Sequence, residues 1–481
     1  MKIVFTLRPE IDLFTEEAHY WLWSEHLAWH YYSKPPLIAL FNYLSTSLLG
    51  VNELAVRIIP AILGMGTAWL TFLLTDYLFQ SKKQAFWASM MLSSMPFFQI
   101  FSTFHLTDSE VTFFGLLTWY LLAKALEKKT WFLWVIAGFV GALGIASKPI
   151  FILAIPTFAL YLLHTKNLIP NLKGFILFII IFLIGFLPSL IWNLENEFQT
   201  FKHLATLGGV HGDPSIQGIG EAILSFLGYL GGQLGMVSIF LLPLWVLYFR
   251  KVKVNDPKQL FLILPALVSF STFLFMSWIT SVEVNWPAFS YPTLAIALAH
   301  EVEKESGKWK KFRNWGVALG LSFLLLLILP DHSGWKKFTG IEKVEIPVFK
   351  RLAGYEQLTS RINFLQDSLG IEASYFFSES YHTSSEMAFY LSNHPKTYQI
   401  NIGGRKTQFD LWEGIESEIG KEKIGVFVSS HQDSPELVTK FEELLYEEEY
   451  PVFFRDVYLR STKIQFWRNI QDYHPVNSDS Y

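Results

Sequence analysis

The sequence predicts an α-helical polytopic membrane bundle that is followed by a small C-terminal α/β domain. Of its 481 residues, 51% are hydrophobic and 17% are charged, with a mean hydropathy of +0.30. A soluble domain carries about 25% charged residues. Apolar runs of the ~20 residues needed to cross a bilayer recur up to about residue 330, and beyond that point charges rise and apolar runs shorten. We therefore predict a membrane domain over 1–330 and an extracytoplasmic α/β domain over 331–481.

The apolar runs predict about ten membrane spans. They cover residues 54–79, 84–104, 109–126, 131–147, 149–165, 173–193, 222–249, 259–280, 286–300 and 314–330. Loops rich in Lys and Arg alternate with acidic loops, so the positive-inside rule places the acidic loops and the C-terminal domain outside a multi-pass inner membrane protein. No apolar h-region of a signal peptide opens the chain. An even number of spans leaves Met1 outside, so we expect a first span to be missing.

Composition excludes several classes of function. The chain has no cysteine, which excludes disulfides and thiolate metal sites. Its net charge of −4 gives no reason to expect a nucleic acid partner. There is no P-loop, GxSxG, HExxH or dinucleotide motif, so neither ATP-driven transport nor a hydrolase triad is supported.

A short acidic segment precedes the first predicted span. Thr15 can cap a helix whose first turn contains Glu16 and Glu17. The following aromatic and apolar residues suit a helix in the membrane interface; they are Tyr20, Trp21, Trp23, Leu27 and Trp29. One of the two carboxylates is a candidate general base or metal ligand. The alternative is that both are ordinary first-turn acids.

A second acidic cluster lies between two spans, at residues 105–110. Thr107 or Asp108 can cap the following helix. Alternatively, Asp108 joins Glu16 at the same membrane face, as base catalysis or a shared divalent ion requires. The sequence leaves the cofactor unknown. If a divalent metal ion is needed, Glu16 and Asp108 are its candidate ligands.

Cations are scarce in the predicted external loops, and three of them are candidate phosphate-binding residues. These are Lys34, Arg57 and Lys148. Lys34 precedes two prolines that favour extended backbone, and Lys148 lies between two apolar runs, where an unpaired cation is costly. A phosphate group on a lipid would explain them. Snorkelling or pairing with a nearby acid is the alternative.

Aromatic and amide side chains at the outer ends of spans are candidate substrate-binding residues. They are Tyr20, Tyr32, Trp192, Asn193, Asn285 and Trp286. Aromatic faces and amides suit a sugar, although interfacial anchoring is the commoner role of Trp.

The tail contains β-like runs at 374–377, 397–402, 424–429 and 452–458, with helical patterns at 384–391 and 434–446. We also expect a long external loop over 194–221.

Several of these strings together resemble bacterial glycosyltransferase family 39, which is related to protein O-mannosyltransferases and lipid A aminoarabinose transferases. The strings are residues 16–21, 32–37, 52–57 and 107–108, followed by 192–193, 285–288 and 408–412. The resemblance implies a GT-C fold in the cell envelope. It also implies a polyprenyl-phosphate sugar as donor, inversion at the anomeric carbon, and an extracytoplasmic lipid, glycan or protein as acceptor.

The resemblance also implies roles for particular residues. Glu16 aligns with the catalytic acid of the first external loop, where Asp is usual, and Asp108 matches the second acidic position. Lys34 and Arg57 resemble positions near the donor phosphate, and Lys148 matches a basic position in a later loop. A transporter or flippase for a phosphate-bearing lipid or glycan is the alternative function.

Overall fold

The computed structural model describes residues 5–6, 11–207, 216, 218–328, 350–430, 434–454 and 457–476. Its N-terminal part is helical. The helices are α1 (Thr15–Ser24), α2 (Leu37–Leu49), α3 (Glu53–Phe79), α4 (Lys82–Ser93), α5 (Pro96–Phe101), α6 (Thr107–Lys128), α7 (Trp131–Ser147), α8 (Ala154–His164), α9 (Leu168–Leu183), α10 (Leu187–Glu195), α11 (Gln199–Leu207), α12 (Ile219–Met236), α13 (Leu242–Lys251), α14 (Pro257–Met276), α15 (Tyr291–Lys304) and α16 (Gly307–Ile328). Short 3-10 turns lead into α8, α10, α13 and α15, at Pro149–Leu153, Ile184–Phe186, Ile239–Leu241 and Ala288–Ser290.

Three helical segments of the described chain are long and apolar enough to cross a membrane. They are α3, the α9–α10 segment Leu168–Glu195, and α14. A fourth candidate is α12 together with Ile239–Lys251, which are bent by 81°. The chain is therefore a multi-pass membrane protein.

Several spans predicted as continuous are interrupted. The run 84–104 is divided between α4 and α5, because Met95 is extended ahead of Pro96. The run 222–249 bends where Ser238 has a positive φ of 77°. The prediction also missed α2, an apolar helix of 13 residues.

The C-terminal part is an α/β unit with a five-stranded sheet. It contains α17 (Tyr355–Leu369), β1 (Tyr375–Ser378), α18 (Tyr381–Tyr390), β2 (Thr397–Gln399), β3 (Ile424–Ser429), β4 (Thr439–Phe454) and β5 (Val457–Tyr473). The strand order is β2-β1-β3-β5-β4, with β1 parallel to β2 and β3, and β5 antiparallel to β3 and β4. The predicted domain boundary at 330/331 lies outside the described residues.

The sequence misassigned one end of this sheet. The predicted helix 434–446 is wrong, because most of it belongs to β4, which pairs with β5 along its length. Its many glutamates favour a helix locally, but pairing with β5 overrides that preference. Since β4 is an edge strand, these exposed charges also protect the sheet from adding another chain.

Helix α1 lies between the bundle and the C-terminal domain. Trp21 packs edge-on against Phe389 of α18, with ring centroids 4.9 Å apart. Glu17 Oε2, rather than Thr15, caps the start of the helix by accepting the Phe14 N–H at 2.9 Å. Leu27 and Trp29 lie beyond the end of α1 and are exposed. The predicted interfacial helix capped by Thr15 is therefore wrong, since almost all of α1 is buried within protein.

Candidate active site

Glu16 lies in the first turn of α1 and is held by residues of the C-terminal domain. Its Oε1 atom accepts hydrogen bonds from Arg351 Nη2 at 3.0 Å and from Tyr381 Oη at 3.4 Å. His382 Nε2 lies 3.3 Å from the same oxygen. Arg351 also donates to Thr15 Oγ1 at 2.9 Å. The Glu16 side chain keeps 25% of its surface exposed, so a substrate can reach it.

This environment keeps Glu16 ionised. Burial alone would raise the pKa of the Glu16 carboxyl, but the hydrogen bond and charge of His382, together with the charge of Arg351, hold that pKa well below its usual range. Burial lowers the pKa of the neighbouring His19 to about 3, so His19 is neutral. The site therefore presents a carboxylate at neutral pH.

Glu17 points the other way and is enclosed with Arg57. Its Oε2 lies 3.0 Å from Arg57 Nη2, and both side chains are fully buried. Glu17 also accepts the backbone N–H of Phe14 at 2.9 Å and of His105 at 2.8 Å. Arg57 further donates to the Asp12 carbonyl at 2.6 Å. The structure thus gives the predicted catalytic acid Glu17 and the predicted phosphate ligand Arg57 internal partners, and does not bring them to the accessible site of Glu16.

Asp108 forms the centre of a buried polar triad. It lies in the first turn of α6, and Leu106 occupies the N-cap position, so neither Thr107 nor Asp108 caps the helix. Lys148, at the end of α7, donates to Asp108 Oδ1 at 2.7 Å. Asn285 Nδ2 donates to Asp108 Oδ2 at 2.8 Å. Three predicted site residues from distant parts of the chain therefore meet at one point.

Lys34 connects this triad to Glu16. Burial lowers the pKa of the Lys34 ammonium, and the nearby charge of Lys148 acts in the same direction. The carboxylates of Glu16, Asp108 and Glu283 oppose that shift. Since all these groups act on one ammonium, Lys34 lies within electrostatic range of both Glu16 and Asp108.

A pocket opens beside Glu16. Its walls include Tyr20 and Tyr32 from the N-terminal region and Tyr381, Arg405 and Lys406 from the C-terminal domain. Burial, reinforced by the charge of Glu16, raises the pKa of the Tyr20 hydroxyl well above its usual range, so this hydroxyl remains a hydrogen-bond donor. The Tyr32 ring lies 4.9 Å from that of His203.

The remaining predicted substrate residues lie elsewhere. Asn193 accepts the Thr200 N–H at 3.1 Å and donates to the Ser189 carbonyl at 2.8 Å, which fixes the corner between α10 and α11. Trp192 is buried beside His30, with ring centroids 5.5 Å apart. The half-buried Trp286 packs edge-on against Phe273. Their substrate roles stay predictions, whereas Asn285 contacts the acidic site directly.

Sequence reasoning missed the contribution of the C-terminal domain. Arg351, Tyr381 and His382 reach Glu16 from more than 300 positions along the chain. No local spacing reveals such contacts. The nearest signal was the string 408–412, which begins two residues after Lys406.

The carboxylates and histidines of the described site do not form a complete set of metal ligands. Among the described residues, no group of three or more Asp, Glu or His side chains could hold a metal ion. The oxygens of Asp108 are engaged by Lys148 and Asn285, and Glu16 Oε1 is engaged by cationic and phenolic donors. We therefore assign no step of the reaction to a metal.

Comparison with known proteins gives consistent similarities. Residues 33–192 match the family described as dolichyl-phosphate-mannose-protein mannosyltransferase. The chain is 23% identical to lipid A galacturonosyltransferase RgtD of Rhizobium johnstonii over 317 residues, which is 65% of this chain and 64% of that protein. It is 25% identical to an uncharacterised Aquifex aeolicus protein, over 62% of this chain and 58% of that protein. The chain thus spans about three-fifths of the length of these relatives.

Among solved structures, the chain is similar to ArnT from Cupriavidus metallidurans. The apo form gives a TM-score of 0.65 at 13% identity, and the form bound to undecaprenyl phosphate gives 0.62 at 14% identity. Each alignment covers 96% of both chains. At this level of identity the similarity establishes the fold.

Proposed function

We propose that this chain, which has the GT-C fold and resembles glycosyltransferase family 39, transfers a sugar from a polyprenyl-phosphate carrier to an acceptor. The observation that carries this proposal is that the charges of Glu16, Asp108 and Lys148 all act on Lys34, while Lys148 is paired with Asp108 at 2.7 Å. A carboxylate that is exposed enough to touch substrate, beside two cations, suits a reaction that removes a proton and releases a phosphate. RgtD, by its name, acts on lipid A, and one ArnT structure contains undecaprenyl phosphate.

In the proposed reaction, Glu16 is the general base. The acceptor oxygen attacks C1 of the sugar from the face opposite the carrier phosphate, and Glu16 takes the hydroxyl proton. The bond between C1 and the phosphate oxygen breaks, so the configuration at C1 inverts and the carrier leaves as polyprenyl phosphate. Correct placement of such a base contributes roughly 10²–10⁴-fold to the rate. A phosphate acceptor needs no base, and Glu16 would then orient it.

Lys34 and Lys148 neutralise the leaving phosphate in this proposal. Lys34 interacts with the charge of Glu16 and forms no ion pair within 4.0 Å among the described residues, whereas Lys148 is paired with Asp108. Asp108 and Asn285 then act as positioning residues, because they fix the Lys148 ammonium at the edge of the site.

We infer that this site lies at the extracytoplasmic face of the inner membrane. That orientation rests on the alternation of basic and acidic loops. A polyprenyl carrier would reach the site from the outer leaflet, and the acceptor would be a lipid, a glycan or a protein of the cell envelope.

The proposal is tested with purified protein in lipid nanodiscs. A polyprenyl-phosphate sugar is supplied together with lipid A as the acceptor probe, and release of polyprenyl phosphate and growth of lipid A mass are followed by mass spectrometry. We expect both in the wild-type protein and a loss of ~10²–10⁴-fold in Glu16→Gln. Glu25→Gln, which changes an exposed acid just beyond α1, is the matched control.

Three results separate the alternatives. Transfer at the wild-type rate in Glu16→Gln would remove Glu16 from the chemistry. Movement of the intact donor across the nanodisc or a liposome bilayer, with no cleavage, would instead support a flippase. Cleavage of the donor without modification of lipid A would support the transferase and redirect the search to another acceptor.

A further inference from the structure

An apolar groove lies between α16 and the segment where α12 and α13 bend by 81°. Ile239 and Pro243 line one side, and Phe312, Trp315 and Leu319 line the other, around a volume of about 760 Å³. That volume falls within the range of ligand pockets, ~300–1,000 Å³. The walls are accessible, since Trp315 and Ile239 are 68% and 67% exposed.

The backbone around this groove is fixed by close packing. Ser238 has a positive φ of 77°, which turns the chain into the 3-10 turn that follows α12. Gly316 of α16 lies against that turn: a Cβ atom added there would come 2.8 Å from the Phe240 carbonyl oxygen and 2.9 Å from Leu241 Cδ2. Only a glycine allows α16 to approach so closely. The groove is therefore built by a specific contact between the two segments.

One end of the groove is positively charged. Lys308 and Lys311 line it near the start of α16. They recur at the helical spacing of the apolar lining residues Phe312, Trp315 and Leu319, so all five share one face of the helix. Neither lysine forms an ion pair within 4.0 Å among the described residues. The first turn of α16 contains no acidic residue, and the positive end of the helix dipole adds to the charge there.

Other cations of the same helix have partners within the protein. Lys310 and Arg313 pair with Glu303, in the case of Lys310 at 3.7 Å. The next acid along the chain, Glu305, is paired with Lys251. The acids close to the start of α16 are thus engaged by other cations. The two lysines at the groove are left to interact with an external anion.

The length of the groove matches one leaflet of a bilayer. Lys308 and Leu319 are separated by about 16 Å along the helix axis, which is roughly half of the ~30 Å hydrocarbon core. The positive-inside rule assigns the basic segment 308–313 to the cytoplasmic side. An apolar groove of this depth, with cations at its cytoplasmic end, is complementary to a lipid with an anionic headgroup.

We propose that this groove is a specific site for an acidic phospholipid of the cytoplasmic leaflet. Lys308 and Lys311 bind the headgroup phosphate, and the acyl chains pack along Phe312, Trp315 and Leu319. Basic pockets between membrane helices on this side are known to bind acidic headgroups. The bound lipid contacts both α16 and the bend that follows α12, so it holds these two segments together. This site is separate from the proposed reaction and does not depend on it.

The test measures binding of two phospholipids that differ only in the headgroup. Purified, delipidated protein in detergent is titrated with phosphatidylglycerol and with phosphatidylcholine of the same acyl chains, and bound lipid is counted by native mass spectrometry. We expect ~10–30-fold tighter binding of phosphatidylglycerol, from two lysines near the headgroup. Lys308→Gln/Lys311→Gln should lose this preference. Thermal unfolding of the lipid-free variant checks that it is folded.

The matched control is Lys128→Gln/Lys129→Gln. These two lysines are exposed and lie on the same predicted side of the membrane, but they do not line the groove. The control variant should retain the preference for phosphatidylglycerol. An equal loss in both double variants would mean a general attraction of acidic lipid to basic loops and would overturn the inference. Equal binding of the two phospholipids by the wild-type protein would overturn it as well.

Two further probes test the identity of the occupant. Glycerol 3-phosphate carries the anion without acyl chains and should bind far more weakly than phosphatidylglycerol; equal binding would indicate a site for a soluble anion instead. Polyprenyl phosphate carries the anion on a single long chain. If Lys308→Gln/Lys311→Gln weakens its binding and leaves that of phosphatidylglycerol unchanged, the groove binds the carrier lipid and the inference is wrong.

Discussion

Arg351 Nη2 donates to Glu16 Oε1 at 3.0 Å, although the two residues are 335 positions apart. The C-terminal domain therefore holds the candidate base directly. Arg351 and His382 constrain the longer glutamate side chain at a position where the family resemblance implies the shorter aspartate. We infer that the domain is part of the reaction site as well as a surface for the acceptor.

Removing Arg351 should shift the pH dependence of the reaction. Arg351→Gln removes a cation that lowers the pKa of Glu16, so that pKa should rise. Because the base must be ionised, the acidic limb of the kcat/KM profile should move to higher pH by ~1 unit, and the activity at neutral pH should be retained. The measurement is a pH–rate profile with a polyprenyl-phosphate sugar. Arg361→Gln, which breaks a pair with Glu448 elsewhere in the domain, should leave the profile in place. An equal loss of kcat/KM at every pH would indicate instead that the Glu16 side chain is misplaced.

Changing Arg57 should affect folding more than donor binding. Arg57→Met leaves the fully buried Glu17 carboxylate without its cation, and breaking a buried pair costs about 3–5 kcal/mol. We expect a large drop in thermal stability in detergent, partly restored in Arg57→Met/Glu17→Gln because the uncompensated charge is then gone. The KM for donor in the folded fraction should stay near the wild-type value. A raised KM for the donor with unchanged thermal stability would instead indicate that Arg57 binds the donor phosphate.

Changing Lys34 should affect donor binding more than folding. Lys34→Met removes the ammonium proposed to bind the carrier phosphate, and a charged hydrogen bond contributes about 1.5–3 kcal/mol. The KM for the donor should therefore rise ~10–150-fold, with little change in thermal stability. Lys202→Met, an exposed lysine on α11, is the matched control. Steady-state kinetics at varied donor concentration measure the effect, and an unchanged KM would rule out this contact.

The sequence predicted some features well because their signals are local. The apolar run 54–79 corresponds to α3 and the run 424–429 to β3. Lys34 and Asp108 could be placed near Glu16 from loop charge and family resemblance. The pairing of Glu17 with Arg57 could not be predicted, because two consecutive glutamates look alike in the sequence. Only the direction of each side chain from α1 shows that Glu17 is buried with Arg57 and that Glu16 is accessible. The same limit applies to β4, whose glutamate-rich run is extended only because β5 lies beside it.

Asp12 provides a test of the contact between the N-terminal part of the chain and the C-terminal domain. It is 2% exposed, and its Oδ2 accepts the backbone N–H groups of Tyr355 and Glu356, so it caps α17 from 343 positions away. Burial raises the pKa of Asp12 from 3.8 to about 6, although those two hydrogen bonds oppose the shift. Between these values the folded chain binds a proton that the unfolded chain has released. The free energy of unfolding should therefore fall as pH rises from about 4 to about 6, by ~3 kcal/mol from this group.

Asp12→Asn keeps an oxygen for the two N–H groups and removes the titration. Thermal unfolding in detergent from pH 4 to pH 7 should show that the variant gains stability relative to the wild type across this window, with the difference levelling off above pH 6. Acids distant from Asp12 titrate in both proteins and cancel in the difference, whereas Glu386 senses the Asp12 charge and contributes to it. A difference that does not change with pH would mean that Asp12 is already ionised at pH 4 in the folded chain, with its two backbone hydrogen bonds outweighing burial.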